Sequence, residues 1–399
     1  MLVIAAPGQG AQAPGFLVPW LEVPGFADRL TAWSELAGVD LIWAGTEADA
    51  DEIRDTAVAQ PLLVAAAIAA AEALAEQHVP LKGLNAVVAG HSVGELTAGV
   101  LAGVLGADDA MRLVRVRGEA MAAATAAEPT GMTAVLGGDE ETVLAAIARC
   151  GLTPANVNGA GQIVAAGTMA ELEAFAADPP PGARLRSLAV AGAFHTRHMA
   201  PAVAALRDAT AGLVAKDPAI TLLSNADGAA VGSGQEWLER IVAQVAAPVR
   251  WDLCMRTMAD LGVTAMIELP PAGTLTGLAR RALPGVAVTA IKTPDQLDAA
   301  RAMLEEHLSD PVLSGQRFAS HQPEWRLIVA PTTGTFRSPD GVGGATVALT
   351  TDLGTVVARG GERPVTAPWP AEIIEWLVED GDPVSEGQPL VRIEPRDGA

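Results

Sequence analysis

The stretch Val87-Val88-Ala89-Gly90-His91-Ser92-Val93-Gly94-Glu95 decides how this chain is to be read. Ala86 to Ala89 is a short apolar run of the kind that forms a buried parallel strand, and an alanine- and leucine-rich helical pattern follows at once. A serine between glycines at a strand-to-helix turn has the composition of a nucleophile elbow. The glycines let the backbone bend sharply, and the N–H groups at the start of the helix face the serine oxygen. A tight turn whose serine only caps a helix would look the same, so the rest of the chain has to separate the two.

Upstream, Leu2 to Ala6 reads as a first buried strand ending in Pro7-Gly8-Gln9-Gly10-Ala11-Gln12. Glycines this close together admit another group near the backbone and can leave an N–H pointing into a site. A plain loop is the alternative. A phosphate-binding loop fits poorly, because neither G-K-[ST] nor G-x-G-x-x-G is present. Residues 26–55 pattern as surface helices. Pro61 is placed to open an alanine-rich helix from Leu62 to Gln77, apolar nearly all round and therefore expected against the sheet.

Downstream of the elbow, helical patterns run from Val93 to Leu105 and from Ala107 to about Ala124. The second carries Arg112 and Arg115, which read as a solvated edge, and Arg117 in Arg117-Gly118-x-x-Met121. The adjacent glycine permits close approach, so Arg117 is the better candidate for pairing with a buried anion. From Gly131 the pattern changes. Strands at Met132–Leu136, Gln162–Ala166 and Arg184–Val190 alternate with helices at Glu140–Arg149 and Met169–Ala177, which predicts a small inserted α/β subdomain. Asn156-Val157-Asn158-Gly159-Ala160-Gly161-Gln162 reads as an amide-rich loop. His195 follows a strand and Gly192, a position from which it could project into a cleft. His198 lies three residues on, without the further ligands that zinc needs. His78, His307 and His321 lie in unremarkable contexts. Strands at Ile220–Ser224, Thr264–Leu269 and Val286–Ile291, with helices at Trp237–Ala246 and Leu275–Leu283, complete this part.

At 399 residues the chain calls for two or three units. A net charge of −21 argues against a nucleic-acid partner. Cys150 and Cys254 are far apart and lack metal-ligand spacing, against a disulfide framework or zinc site. No positive charge precedes Arg29, against a secretory signal. The most apolar stretch, Leu62 to Ala71, meets Glu72 well short of the ~20 residues a membrane span needs. A soluble, cytoplasmic protein is the expectation.

These pieces, in this order, resemble the malonyl-CoA:acyl carrier protein transacylase family of fatty-acid and polyketide synthesis. The likeness is carried by Pro7-Gly8-Gln9-Gly10, Gln60-Pro61, Gly90-His91-Ser92-Val93-Gly94-Glu95, Arg117-Gly118, Asn156-x-Asn158 with Gln162, Gly192-Ala193-Phe194-His195, Gln244 with Pro248-Val249-x-Trp251, and Leu275-Thr276-Gly277-Leu278. It covers residues 1 to about 295. The resemblance implies a hydrolase-like α/β domain (1–124 and 192–295) bearing a ferredoxin-like subdomain (125–191). It makes Ser92 the nucleophile and His195 the general base, with His195 oriented by the backbone carbonyl of Gln244. The Gln9 and Val93 N–H groups become the oxyanion hole, and Arg117 the partner of malonate's free carboxylate. Phe194 would crowd out an α-methyl branch, and Asn156 and Gln60 would line the substrate pocket. Malonyl-CoA and acyl carrier protein are the implied partners, with no metal and no cofactor of the enzyme's own. Pro270-Pro271-Ala272-Gly273 departs from the family's more usual glycine-proline-glycine turn.

After a helix and linker at 296–325, residues 326–399 change character, with short β-like runs and many glycines and prolines. Val329-Ala330-Pro331-x-x-Gly334 recurs as Thr366-Ala367-Pro368-x-x-Ala371, followed by Glu379-Asp380-Gly381-Asp382-Pro383-Val384-x-Glu386-Gly387-Gln388. Together these resemble a biotinyl/lipoyl-carrier domain, a flattened β-sandwich with two quasi-symmetric halves. No lysine occurs after Lys292, so neither group has an attachment point. Two readings remain: a module docking a carboxylase component that makes malonyl-CoA, or an appendage that stabilises the enzyme.

The rival function is a serine hydrolase or thioesterase using the same Ser-His pair. It would want an acid at a strand end between them, and Asp108, Asp109, Asp139 and Asp178 do not fit such an end. An acidic carrier protein would also need a local basic patch on this acidic chain, for which Arg184, Arg186, Arg280 and Arg281 are candidates.

Overall fold

A computed structural model describes residues 1–75, 86–190, 192–308, 326–338, 346–348, 350–358, 360–368, 370–378 and 380–395. The expected linker at 309–325, His78, His321 and Glu379 lie outside the described residues. The chain divides into two compact units, Met1–Gly315 and Gln316–Ala399.

The first unit is built on a five-stranded sheet in the order Ala287–Ala290, Ala265–Glu268, Leu2–Ala6, Ala86–Gly90, Thr221–Leu222, every pair parallel. A parallel sheet is covered on both faces, and the alternation along its strands divides the core accordingly. Leu2, Ile4 and Val88 face the larger cluster around helix Thr56–Leu74, while Val3, Ala5, Val87 and Ala89 face Trp251, Met255 and Leu278. By length and composition Thr56–Leu74 could cross a bilayer, but here it is enclosed by the protein's own core. It starts earlier than the periodicity predicts. Asp55 caps it by accepting from the Ala57 N–H, which places Pro61 inside the helix.

The second sheet runs Ala183–Ser187, Thr130–Gly137, Gln162–Thr168, Thr153–Gly159, Val249–Arg250. Its first four strands are antiparallel, and Val249–Arg250 adds in parallel from a distant part of the chain. One face packs on helices Glu140–Arg149 and Met169–Ala177 through Val135, Ile147, Ile163 and Phe175. The other contributes Met132, Ala155, Val164 and Ala166 to the main core. The expected amide-rich loop at 156–162 is a strand and turn instead: Thr153–Gly159, then Ala160 and Gly161 in left-handed conformation.

Among its described residues the second unit forms two four-stranded antiparallel sheets over Phe336, Leu353, Val356, Leu390 and Ile393.

Candidate active site

The elbow is forced by two close approaches. A Cβ on Gly90 would lie 1.9 Å from the Gly94 carbonyl carbon, and one on Gly94 would lie 2.3 Å from the Ala6 carbonyl oxygen. Only glycine lets strand Ala86–Gly90 turn this tightly into helix Gly94–Leu101, and the turn drives Ser92 to φ 54°, unusual for a serine. Asn225 braces the strained residue from both sides. Its Oδ1 accepts the Ser92 N–H at 2.7 Å and its Nδ2 donates to the Gly90 carbonyl at 2.8 Å.

The Ser92 hydroxyl lies 2.7 Å from His195 Nε2. On the far side of the ring, Nδ1 lies 2.9 Å from the Gln244 carbonyl. A carbonyl can only accept, so Nδ1 carries the proton and Nε2 is left to receive the serine's. Burial first, and then the Arg117 charge, pushes His195 down to about 3, so the ring is a neutral base at physiological pH. His195 has φ 61°, with its N–H on the Val245 carbonyl at 3.1 Å. Among the described residues, no carboxylate is hydrogen-bonded to the ring. One does stand at a strand end, Glu268, but it accepts from Gly273 N, Leu275 N, Thr276 N and Thr276 Oγ1 at 2.8–2.9 Å. It therefore caps helix Thr274–Ala282 and holds the Pro270–Gly273 turn.

Arg117 comes from helix Ala107–Thr125 and is 1 % exposed. Gly118 lets this helix close on Thr56–Leu74, since a Cβ there would lie 3.0 Å from the Thr56 carbonyl oxygen. The guanidinium donates to Gln60 Oε1 at 2.7 Å, to Gln244 Oε1 at 2.8 Å and to Ser92 Oγ at 3.3 Å. Burial lowers it to about 10, which still leaves it charged at neutral pH. Its side-chain partners are neutral oxygens. A cation so held, with one nitrogen on the nucleophile, is suited to an anionic group carried by whatever the serine attacks. Glu95, buried in the first turn of the elbow helix, accepts the Asn225 N–H at 2.7 Å and the Gln244 side-chain amide. Burial pushes its carboxyl up to about 8, against the pull of Asn225 and Arg117.

The glycine-rich first loop lies against the elbow. A Cβ on Gly8 would approach the His91 carbonyl to 2.8 Å. The loop is pinned outward by Gln9 Nε2 on the Arg54 carbonyl at 3.1 Å and by Gln12 Nε2 on the Ile53 carbonyl at 3.0 Å. Among the described residues, neither the Gln9 nor the Val93 N–H has a hydrogen-bond partner, whereas Asn225 occupies that of Ser92. The fold therefore leaves both of these backbone donors without a partner of their own.

Ser92, His195, Gln244, Arg117 and Gln60 thus meet through direct contacts, while Val93 follows Ser92 in the chain and Gln9 follows Gly8, which lies against His91. Phe194 is buried next to His195 in the main core. Asn156 is buried on strand Thr153–Gly159, but Asn158, two residues on, is the one that reaches the elbow, 2.9 Å from His91 Nε2. Sequence reasoning missed Asn225 and Glu95 as parts of the site, and Glu268 as the cap of helix Thr274–Ala282. The one local signal was their position at strand or helix ends: Asn225 just after strand Thr221–Leu222, Glu268 closing Ala265–Glu268, Glu95 opening the elbow helix. His198 pairs with Glu128 at 3.1 Å, and no group of three or more metal-ligating side chains occurs among the described residues. Arg184, Arg186, Arg280 and Arg281 are exposed, the first two on edge strand Ala183–Ser187 and the others in the last turn of Thr274–Ala282.

The acyl transferase domain family matches residues 6–304. The malonyl CoA-acyl carrier protein transacylase of Mycobacterium tuberculosis is 53% identical over 298 residues, 75% of this chain and 98% of that protein. That of Escherichia coli is 32% identical over 302 residues, 74% of this chain and 96% of the relative. The crystal structure of the M. tuberculosis enzyme superposes with a TM-score of 0.73 at 52% identity, covering 75% of this chain and 99% of that one. A malonyl-transacylase solved in complex with its type II PKS acyl-carrier protein superposes with a TM-score of 0.70 at 29% identity, covering 76% and 99%.

Proposed function

The chain belongs to the acyl transferase family, and from that membership we propose the following course for its reaction. The enzyme moves malonyl groups from malonyl-CoA to acyl carrier protein in fatty-acid synthesis. His195 Nε2 takes the Ser92 proton as Oγ attacks the thioester carbonyl, and the Gln244 carbonyl supports the imidazolium through Nδ1–H. The oxyanion is held by the Gln9 and Val93 N–H groups. Collapse breaks the carbon–sulfur bond, His195 returns the proton to the departing CoA sulfur, and malonyl remains as an ester on Ser92. The phosphopantetheine thiol of the carrier then attacks that ester, giving its proton to His195. The second collapse frees Ser92, which regains the proton.

Arg117 pairs with malonate's free carboxylate throughout. That pairing has a second effect: neutralising the guanidinium offsets one of the three causes that depress His195, the others being burial and His91, so a malonyl donor strengthens the base that attacks it. The observation that carries this reading is the Arg117 nitrogen 3.3 Å from Ser92 Oγ, since a plain ester hydrolase has no use for a buried cation there. The test is Arg117→Ala. Malonyl loading is expected to fall about 100-fold or more while acetyl loading is retained or rises. Equal loss of both donors would remove Arg117 from substrate recognition.

Phe194 is assigned to crowding against an α-methyl branch, and Gln60 and Asn156 to the substrate pocket. Carrier contact is assigned to exposed Arg184, Arg186, Arg280 and Arg281, and residence to the cytoplasm, which free Cys150 and Cys254 support. We assign 1–124 with 192–295 as the catalytic domain, 125–191 as a ferredoxin-like subdomain and 326–399 as a biotinyl/lipoyl-like domain. The paired four-stranded sheets support the last assignment. Without a lysine that domain carries no attached group, and a carboxylase component is its proposed partner.

A further inference from the structure

Beneath the nucleophile runs a set of hydrogen bonds that none of the transfer steps uses. Glu95 is 2 % exposed, and each of its oxygens faces an N–H donor: Oε1 the backbone of Asn225 at 2.7 Å, Oε2 the side-chain amide of Gln244. The same Gln244 amide presents Oε1 to Arg117 at 2.8 Å, and its nitrogen also reaches the Ser92 carbonyl at 3.3 Å. We propose that Glu95 is a positioning residue that fixes which way round the Gln244 amide stands, and thereby the aim of Arg117 at the acyl group on Ser92. This rests on the malonyl-transfer reading above.

An amide side chain can be turned over with little change of shape, exchanging oxygen for nitrogen. In the observed orientation the oxygen meets a permanent donor, Arg117, and the nitrogen meets acceptors. Turned over, the NH2 would face the guanidinium and the oxygen would face Glu95. The first contact sets donor against donor in a water-poor site, where an unmade hydrogen bond is costly. As a carboxylate Glu95 accepts on both oxygens, as both of its N–H partners require, whereas a glutamine at 95 would accept on one atom only. The Asn225 backbone N–H cannot turn away and would claim that oxygen. The new NH2 would then face Gln244 and favour the inverted amide, which withdraws the acceptor from Arg117. Asn225 supplies an internal contrast. Its side chain braces Ser92 and Gly90, but only its backbone touches Glu95.

The test is the rate at which the full-length chain loads Ser92 from malonyl-CoA and from acetyl-CoA, followed by intact mass. Glu95→Gln is expected to slow malonyl loading roughly 10- to 100-fold and acetyl loading much less, moving the malonyl/acetyl ratio toward that of Arg117→Ala. Asn225→Ala is expected to slow both donors alike and leave the ratio where it was. A Glu95→Gln chain with the wild-type ratio overturns the proposal, whether its rates are unchanged or fall in proportion. Should Glu95→Gln not fold, Gln244→Met decides. It removes the amide but keeps the carbonyl on His195, so its ratio must collapse, and a wild-type ratio there overturns the proposal equally. Failure of the wild-type chain to load from malonyl-CoA would instead sink the malonyl-transfer reading.

Discussion

His195 is held by a carbonyl where a hydrolase would use a carboxylate, and the difference has a measurable consequence. A carbonyl fixes the tautomer and orients the ring but adds no full negative charge, so its hydrogen bond only partly offsets the burial and the Arg117 charge that bring the ring to about 3. In the proposed reaction the neutral form is the active one, and a lowered value means that form survives further into acid. Single-turnover loading of Ser92 from malonyl-CoA should therefore stay flat from about pH 7 to about pH 5, instead of falling through the ~6.5 of an ordinary histidine. A limb near 6.5 would contradict this account of the ring's surroundings. Ser92, His195 and Arg117 were legible in the sequence because each sits beside a glycine or in a short motif with a local backbone reason. Asn225 and Glu95 were not, because what gives them meaning is a contact across 133 residues to Ser92 and across 149 to Gln244. Neither residue type announces such a contact.

At the scale of elements, the elbow depends on backbone contact between strand Ala86–Gly90 and the helix that follows it. Gly90→Ala would bring a methyl to 1.9 Å from the Gly94 carbonyl carbon, a distance that no side-chain rotation relieves. The expected outcome is destabilisation by more than about 3 kcal/mol or failure to fold, read by thermal denaturation. A well-folded Gly90→Ala chain would show that the turn has another solution. The strands of the parallel sheet could be read from their apolar runs, and their ends agree with the pattern to within a few residues. Two expectations failed for reasons outside local pattern. The helix before the elbow begins at Thr56 because Asp55 caps it, and Pro61 is tolerated inside an otherwise favourable apolar helix. The amide-rich segment at 156–159 reads as a loop by composition, but pairing with Gln162–Thr168 on one side and Val249–Arg250 on the other makes it an inner strand. The second of those partners lies about ninety residues away and has no local signature.

At the scale of the molecule, the machinery lies wholly within Met1–Gly315, which has its own cores on both faces of its sheet. A chain ending at residue 315 is expected to fold and to load Ser92 from malonyl-CoA at a rate within about twofold of the full-length chain, because no residue of the loading chemistry is removed. A large loss would assign the second unit a part in the reaction. Composition shifts after residue 325, whereas the contacts divide the chain at Gly315 and Gln316. The two-sheet arrangement of the second unit follows only from pairings such as Arg326–Val329 with Pro389–Pro395, which join the ends of that segment. The central claim is that Ser92 carries the malonyl group and passes it to a thiol in preference to water. Intact-mass measurement after mixing with malonyl-CoA should find one malonyl group on the wild-type chain and none on Ser92→Ala, and the group should persist until acyl carrier protein is added and then appear on the carrier. A chain that gains no malonyl group, or that sheds it to water as fast as to the carrier, would contradict the account.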